Sequence, residues 1–308
     1  MRVFVTGATG YLGFAVASGF VRDGHDVHGM TRSESGAGRL RAAGVRPVVG
    51  RLQDPESYRE AAAQADLLVH AAMDSSEGFG LDRFAVESLL AAARSRPGFL
   101  YTSGVWLYGD AAGGTLDESA LPRPPFKNRM RPAIEDQVLA DPRVRGIVLR
   151  PGCFYGGAGG LTAQWFAGPA SGTPAIIVGD GSNRWSMVHV EDAATGFVRA
   201  GGSDASGEIF NLTDPSVETV LTMAEAAAGA VGFAGGVTTL SAAQATERMG
   251  PLAECLALDQ HVDSSKAGRV LGWRPARSGF VPEVEGCYRE WRESRPTGEA
   301  GVPQPRSE

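Results

Sequence analysis

The chain has 308 residues, of which 43% are hydrophobic and 21% charged, and a formal net charge of −6. That length can bury a full core and has room for two domains, and the acidic balance argues against a surface built for nucleic acid or anionic membrane. Its three cysteines, Cys153, Cys255 and Cys287, are too few and too widely spaced for a disulfide framework or a metal-ligand cluster, so no metal is expected.

Residues 1–13, MRVFVTGATGYLG, come first in the chain and in importance. Arg2–Thr6 is apolar and β-branched and predicts a strand. A glycine turn follows at once, and Tyr11 opens a helical pattern that runs to Val21. Strand, glycine turn and helix together are the setting of a dinucleotide-binding turn. Gly7 permits the tight turn, Gly10 lets the backbone approach a pyrophosphate, and Gly13 lets the helix sit close to the strand. Thr9, Tyr11 and Leu12 complete the cradle, and the helix N-terminus offers free N–H groups with a partial positive charge. A tight βα turn that binds nothing is the alternative.

Asp26–Thr31 predicts the second strand. In a dinucleotide fold the end of this strand faces the adenosine ribose, where an acid would accept from the 2′-hydroxyl of NAD. This chain has Thr31-Arg32-Ser33 there, with Arg39 and Arg41 close behind. A guanidinium pairs with a 2′-phosphate in a bidentate way. NADP(H) is therefore the expected cofactor, with NAD(H) kept open by Glu34; a plain solvated role for Arg32 is the alternative.

Further strands are predicted over 46–50, 65–72, 98–102 and 144–149, and helices over 80–94 and 128–140. His70 reads as a packed strand residue, since it would point into a two-sided sheet. The alternation predicts an α/β fold with a doubly wound, Rossmann-type parallel sheet. Glycine and proline become dense over 156–174, and 208–212 (EIFNL) is a late strand. The tail, 292–308, is rich in proline, glycine and charge and reads as flexible. No apolar run is long enough to span a bilayer, and the first residues lack the shape of a signal peptide, so a reduced, cytoplasmic protein is expected.

The GxxGxxG turn, the segment GDGSNRWSMVHVED over 179–192 and the stretch DSSKAGRVLGWRP over 263–275 resemble the extended and atypical branches of the short-chain dehydrogenase/reductase superfamily. The resemblance covers about residues 1–291. It implies a nucleotide domain of residues 1–152 plus about 188–213, and a smaller, discontinuous C-terminal substrate domain of about 153–187 plus 214–291. It also implies a substrate-side hairpin within 179–192. Leu52, Ala71, Ala72 and Thr102 would touch the cofactor, and Pro151 and Phe154 would border its carboxamide. Relatives often dimerise through helices like 80–94 and 128–140, so a homodimer or a monomer is expected.

The same resemblance locates the proton chemistry. Most members use a Tyr-x-x-x-Lys pair, one helical turn apart, with a Ser or Thr to orient the substrate carbonyl and an Asn to support a water relay. Anchored on Tyr108-Gly109, Glu135 and Leu89-Leu90, the four slots hold Gly104, Lys127, Arg131 and Asp82. None is the usual residue, although Ser103 lies one place from its slot. Arg131 can hold ribose hydroxyls but cannot act as an acid at neutral pH. Lys127 can donate a proton if desolvation lowers its pKa, or lie with Arg131 on a solvated stripe. Asp82 accepts a proton, pairs with Arg131, or caps a helix. Tyr108 and Tyr155 are alternative donors, or core packing. Met73, Asp74, Trp106, Tyr155 and Arg184 would line the substrate cleft, Arg184 lying where relatives grip a phosphate.

The expected function is an NADP(H)-dependent oxidoreductase that moves a hydride to or from a carbonyl, or conjugated carbonyl, of a small molecule. The rewritten acid–base slots leave two alternatives: a non-redox isomerase, epimerase or lyase, and a non-catalytic NADP-binding sensor.

Overall fold

The computed structural model describes residues 1–73 and 78–295. In chain order the elements are β1 (Arg2–Thr6), α1 (Tyr11–Arg22), β2 (Asp26–Thr31), α2 (Glu34–Ala42), β3 (Arg46–Val49), α3 (Arg59–Ala63), β4 (Leu67–His70), α4 (Gly78–Ala92), β5 (Gly98–Thr102), α5 (Arg131–Ala140) and β6 (Arg145–Pro151). There follow β7 (Cys153–Tyr155), α6 (Ala163–Ala170), β8 (Ala175–Val178), β9 (Met187–His189), α7 (Val190–Gly201) and β10 (Glu208–Leu212). The chain ends with α8 (Val220–Val231), β11 (Val237–Leu240), α9 (Ala242–Met249), α10 (Leu252–Leu256), α11 (Ser265–Leu271) and α12 (Phe280–Glu293).

Seven strands form one sheet in the order β10-β6-β5-β4-β1-β2-β3, and every pairing is parallel. A strand buried on both faces carries apolar residues at successive positions, and β1 does so. Val3 and Val5 turn to one face, against α1 and α7; Phe4 turns to the other, against the side of α3 and α4. The strand order reverses between β1 and β4. In open parallel sheets that reversal opens a crevice at the carboxyl ends of the strands.

A third core lies away from the sheet. Trp165 stacks on Trp185 with ring centres 5.3 Å apart, and Phe166, Phe280 and Trp291 close around them. Each such side chain contributes ~1.5–3 kcal/mol of burial. The late stretch of the chain thus brings its own apolar interior, fed mainly by α6, α8 and α12.

Several boundaries differ from expectation, each for a local reason. No hairpin forms within 179–192: β9 pairs parallel with β7, and β8 pairs parallel with β11. The helix expected over 128–140 starts at Arg131, after a 3-10 turn at Phe126–Asn128. Pro132 explains the start, because a residue without an N–H is tolerated in the first helical turn and not deeper. α4 stops at Ala92, where the Arg94 guanidinium takes the carbonyls of Ala91, Ala92 and Ala93. α12 runs to Glu293, so the first residues of the expected tail are helical; 296–308 lie outside the described residues.

Candidate active site

The glycine turn is built by close contacts that exclude side chains. Gly7 has φ +69°, and a Cβ there would come within 2.7 Å of the Ala71 carbonyl and of Ala72. A Cβ on Gly13 would come within 2.1 Å of the Gly7 carbonyl. Ala71 and Ala72 are therefore pressed against the turn. Gly10 is extended, caps α1 without any side-chain hydrogen bond, and donates its N–H to Gly7 at 2.8 Å. The first N–H groups of α1 are thus left for a ligand. Leu12 packs into the sheet core, so it can offer only backbone to a ligand. Tyr11 donates its hydroxyl to the Gly156 carbonyl at 2.6 Å, and burial pushes its pKa up.

Beside the turn, the Arg39 guanidinium donates to the Thr9 carbonyl at 3.0 Å and lies 3.9 Å from the Phe14 ring centre. Arg32 is exposed directly after β2, while Glu34 is paired with Arg41 at 2.7 Å. Leu52 is buried against the core that holds Tyr58. Arg51 is exposed in a turn that bridges to Asp54.

Residues 71–73 lead from the turn to a cavity of about 280 Å³. Met73, Ser103, Trp106, Arg131, Pro151 and Phe154 all line it. Arg131 donates to the Thr102 carbonyl at 2.9 Å and to the Met73 sulfur at 3.3 Å. The Ser103 hydroxyl, the Thr102 hydroxyl and the Trp106 indole nitrogen are buried without a hydrogen-bond partner. Buried polar groups are nearly always paired in a native protein, so these are atoms that a bound group would satisfy.

Asp82, on α4, is buried and does not line the cavity. It accepts from His70 Nε2 at 2.9 Å on one oxygen and from the Tyr101 hydroxyl at 2.6 Å on the other. The Thr6 hydroxyl meets His70 Nδ1 at 2.7 Å. Burial works to raise the Asp82 pKa, but the His70 and Tyr101 hydrogen bonds and the charges of His70 and Arg131 outweigh it, holding the carboxyl below its usual range. Asp82 does not cap its helix, and both of its oxygens are engaged. A set of this kind fixes a negative charge near Arg131.

Other sequence candidates fall elsewhere. Tyr155 is fully buried in the third core, edge-on to His189 and Phe280, and does not line the cavity. Tyr108 donates to Asn211 at 2.8 Å and lies under the Arg150 guanidinium, which is held by Glu135. Arg184 is bound in a bidentate way to Asp259, at 3.0 and 2.8 Å, and also lies outside the cavity. Its charge is thus spent within the protein. Asp74 and the side chain of Lys127 lie outside the described residues. Conversely, Asn128 and Leu161 line the cavity and were not singled out from the sequence. Asn128 adjoins the Lys127 slot, which was the one available signal.

The glycine cradle, the uncapped α1 N-terminus and the unpartnered hydroxyls at the end of β5 fit a dinucleotide lying across the switch point. Comparison with known proteins agrees. The profile of the NAD dependent epimerase/dehydratase family matches residues 3–213. An uncharacterized protein of Schizosaccharomyces pombe is 31% identical over 295 residues, 92% of this chain and 98% of that protein. A 4-hydroxy-2-methyl-3-oxo-4-farnesyl-3,4-dihydroquinoline-1-oxide ketoreductase of Stigmatella aurantiaca is 29% identical over 238 residues, 70% of this chain and 68% of that one. Among solved structures, dTDP-glucose 4,6-dehydratase of Bacillus anthracis, in complex with NAD, superposes with a TM-score of 0.80 at 16% identity, covering 96% of this chain and 97% of that one. This chain is therefore an NAD(P)-dependent enzyme of the NAD dependent epimerase/dehydratase family, within the extended and atypical short-chain dehydrogenases/reductases.

Proposed function

We propose that the protein is an NADP(H)-dependent oxidoreductase acting on a carbonyl, or conjugated carbonyl, of a small molecule. One observation carries the reading. Ala71 and Ala72 touch the glycine turn and the next residue, Met73, lines a largely apolar cavity edged by the unpartnered Ser103 hydroxyl. A nucleotide crevice and a reaction chamber thus meet over three consecutive residues. The ketoreductase named among the relatives supports the same class.

When bound, the nicotinamide supplies or accepts a hydride at the substrate carbon, and a water proton completes the hydroxyl in the reducing direction. Arg131, fixed on the Thr102 carbonyl, holds ribose hydroxyls in this reading and moves no proton. Asp82 keeps that charge in place. Ser103 orients the substrate oxygen. No tyrosine lines the cavity among the described residues, which favours substrates that need little acid assistance. A non-redox isomerisation would also tolerate that lack, but Asp82, with both oxygens engaged, is poorly placed as its base.

The preference for NADP(H) is drawn from Arg32 after β2 and from Arg39 at Thr9, while Glu34 is taken by Arg41. The nucleotide side is residues 1–152 with 188–213, and the substrate side is 153–187 with 214–291. Titration with NADPH and NADH, read by nicotinamide fluorescence, tests the reading. NADPH should bind more tightly, Arg32→Ala should erase the preference, and turnover of ketones or enones should change nicotinamide absorbance. Failure of both cofactors to bind, or turnover without a net absorbance change, overturns it.

A further inference from the structure

Among its described lining residues, the cavity behind Met73 has the wrong chemistry for a phosphorylated substrate. Much of its wall is Val105, Trp106, Cys153, Phe154 and Leu161. Among the described lining residues the cation is Arg131, and its guanidinium is engaged by Thr102 and Met73 beside the Asp82 carboxylate. Arg184, the residue expected to grip an anion, is tied to Asp259. The segment that carries Asn128 and Arg131 into the wall also exposes Phe126 and Met130, and Met73 is itself two-thirds exposed. A volume of about 280 Å³ is at the small end of ligand cavities.

Polar demand is confined to a few atoms. The Trp106 indole N–H and the Ser103 hydroxyl are buried and unpartnered, three residues apart in sequence, one just past the end of β5 and the other in the 3-10 turn that follows it. Burial pushes the Cys153 thiol up and the neighbouring Trp106 N–H pulls it back, although Trp106 Nε1 meets no acceptor at full hydrogen-bond geometry. A thiol is a weak acceptor. A carbonyl oxygen would satisfy both donors better.

We infer that this cavity takes an uncharged, largely apolar carbonyl compound, whose oxygen is held by the Trp106 indole N–H and the Ser103 hydroxyl. The inference rests on the oxidoreductase reading of the same site. An indole N–H donates a hydrogen bond without giving up its proton. It therefore stabilises negative charge developing on oxygen by hydrogen bonding alone, as an oxyanion-hole donor does. Trp106 becomes the determinant that replaces the missing tyrosine in binding, though not in acidity.

Calorimetry on protein saturated with NADP tests this, with acetophenone, benzylideneacetone and cyclohexenone as neutral probes and UDP-glucose as the phosphorylated one. At least one neutral probe should bind, and UDP-glucose should bind at least about tenfold more weakly. Trp106→Phe keeps the ring and removes the donor; it should weaken the neutral probe by roughly five- to tenfold, with NADPH affinity retained as the check on folding. Ser103→Ala should act in the same direction. Tighter binding of UDP-glucose, no binding of any neutral probe, or an unchanged probe affinity in Trp106→Phe overturns the inference while leaving cofactor binding intact. Loss of NADPH binding by the unaltered protein overturns the oxidoreductase reading and this inference with it.

Discussion

His70 Nε2 lies 2.9 Å from Asp82 Oδ1, and this contact joins the end of β4 to α4. Asp82 is buried, so its charge depends on that bond, on Tyr101 and on the field of Arg131. Asp82→Asn should cost ~2–4 kcal/mol of stability, since it leaves the Arg131 charge less compensated and turns one acceptor into a donor facing donors. Urea unfolding checks the cost. An unchanged midpoint would show that Asp82 does not hold the Arg131 charge in place.

The second ion pair is more deeply sealed. Arg150 and Glu135 are each almost wholly buried, and one Arg150 nitrogen, Nη1, has no partner. Glu135→Gln should destabilise by ~3–5 kcal/mol, because it strands a buried guanidinium. Replacing both, as Glu135→Leu with Arg150→Met, should recover most of that loss. Equilibrium unfolding of the single and double variants distinguishes a pair kept for stability from one kept to fix α5 on β6.

Two glycines of the turn separate folding from binding. A Cβ on Gly10 would meet only the Gly7 carbonyl, at 3.1 Å, whereas one on Gly13 would intrude to 2.1 Å. Gly10→Ala should keep its thermal midpoint while NADPH affinity falls by about tenfold or more, as the methyl group enters the phosphate path. Gly13→Ala should lose both. Thermal melts beside fluorescence titrations read the two effects separately.

Asp214 and His189 work in opposite directions as pH changes. Burial raises Asp214 from 3.8 to about 6, and burial, helped by the charge of Arg277, lowers His189 from 6.5 to about 4. For Asp214 the folded state binds its proton more tightly than the unfolded chain. Its stabilising contribution is present below the unfolded value and is lost as pH rises through about 6. For His189 the folded state resists the proton, so its contribution is present above 6.5 and is lost as pH falls through about 4. The two slopes offset each other between these limits. Asp214→Asn should therefore raise stability at neutral pH by ~1–3 kcal/mol and expose a steeper gain with pH between about 4 and 6. Urea midpoints measured across that range decide it.

The sequence was most legible where structure is local. Arg2–Thr6, Asp26–Thr31, Gly98–Thr102 and Glu208–Leu212 are apolar runs bounded by turn residues, and each is a strand with those limits. His70 was read as a packed residue, and it is buried among hydrogen bonds. The hairpin expected in 179–192 failed because the partners of β8 and β9 lie in β11 and β7, far along the chain, and no turn residue announces a remote parallel pairing. Tyr155 was expected in the cleft from its nearness to Pro151. Its ring instead packs on Phe280, which only the late helix α12 delivers. Asp82 was identifiable by slot, but its partners come from β4 and β5 through sheet register, where His70 stands opposite Tyr101.

The parallel pairings of β7 with β9 and of β8 with β11 also impose an order of assembly. Neither two-stranded unit can close through a short turn, so each must wait for distant chain to arrive. The aromatic interior around Trp165 further needs Phe280 and Trp291 from α12. During synthesis the sheet half can gather most of its own contacts while the rest of the chain is still emerging. The half that carries the third core is completed last, and long-range closure of this kind is slow. A chain stopped before α12 would leave Trp165 and Trp185 without their cover, a sticky surface that quality control would recognise.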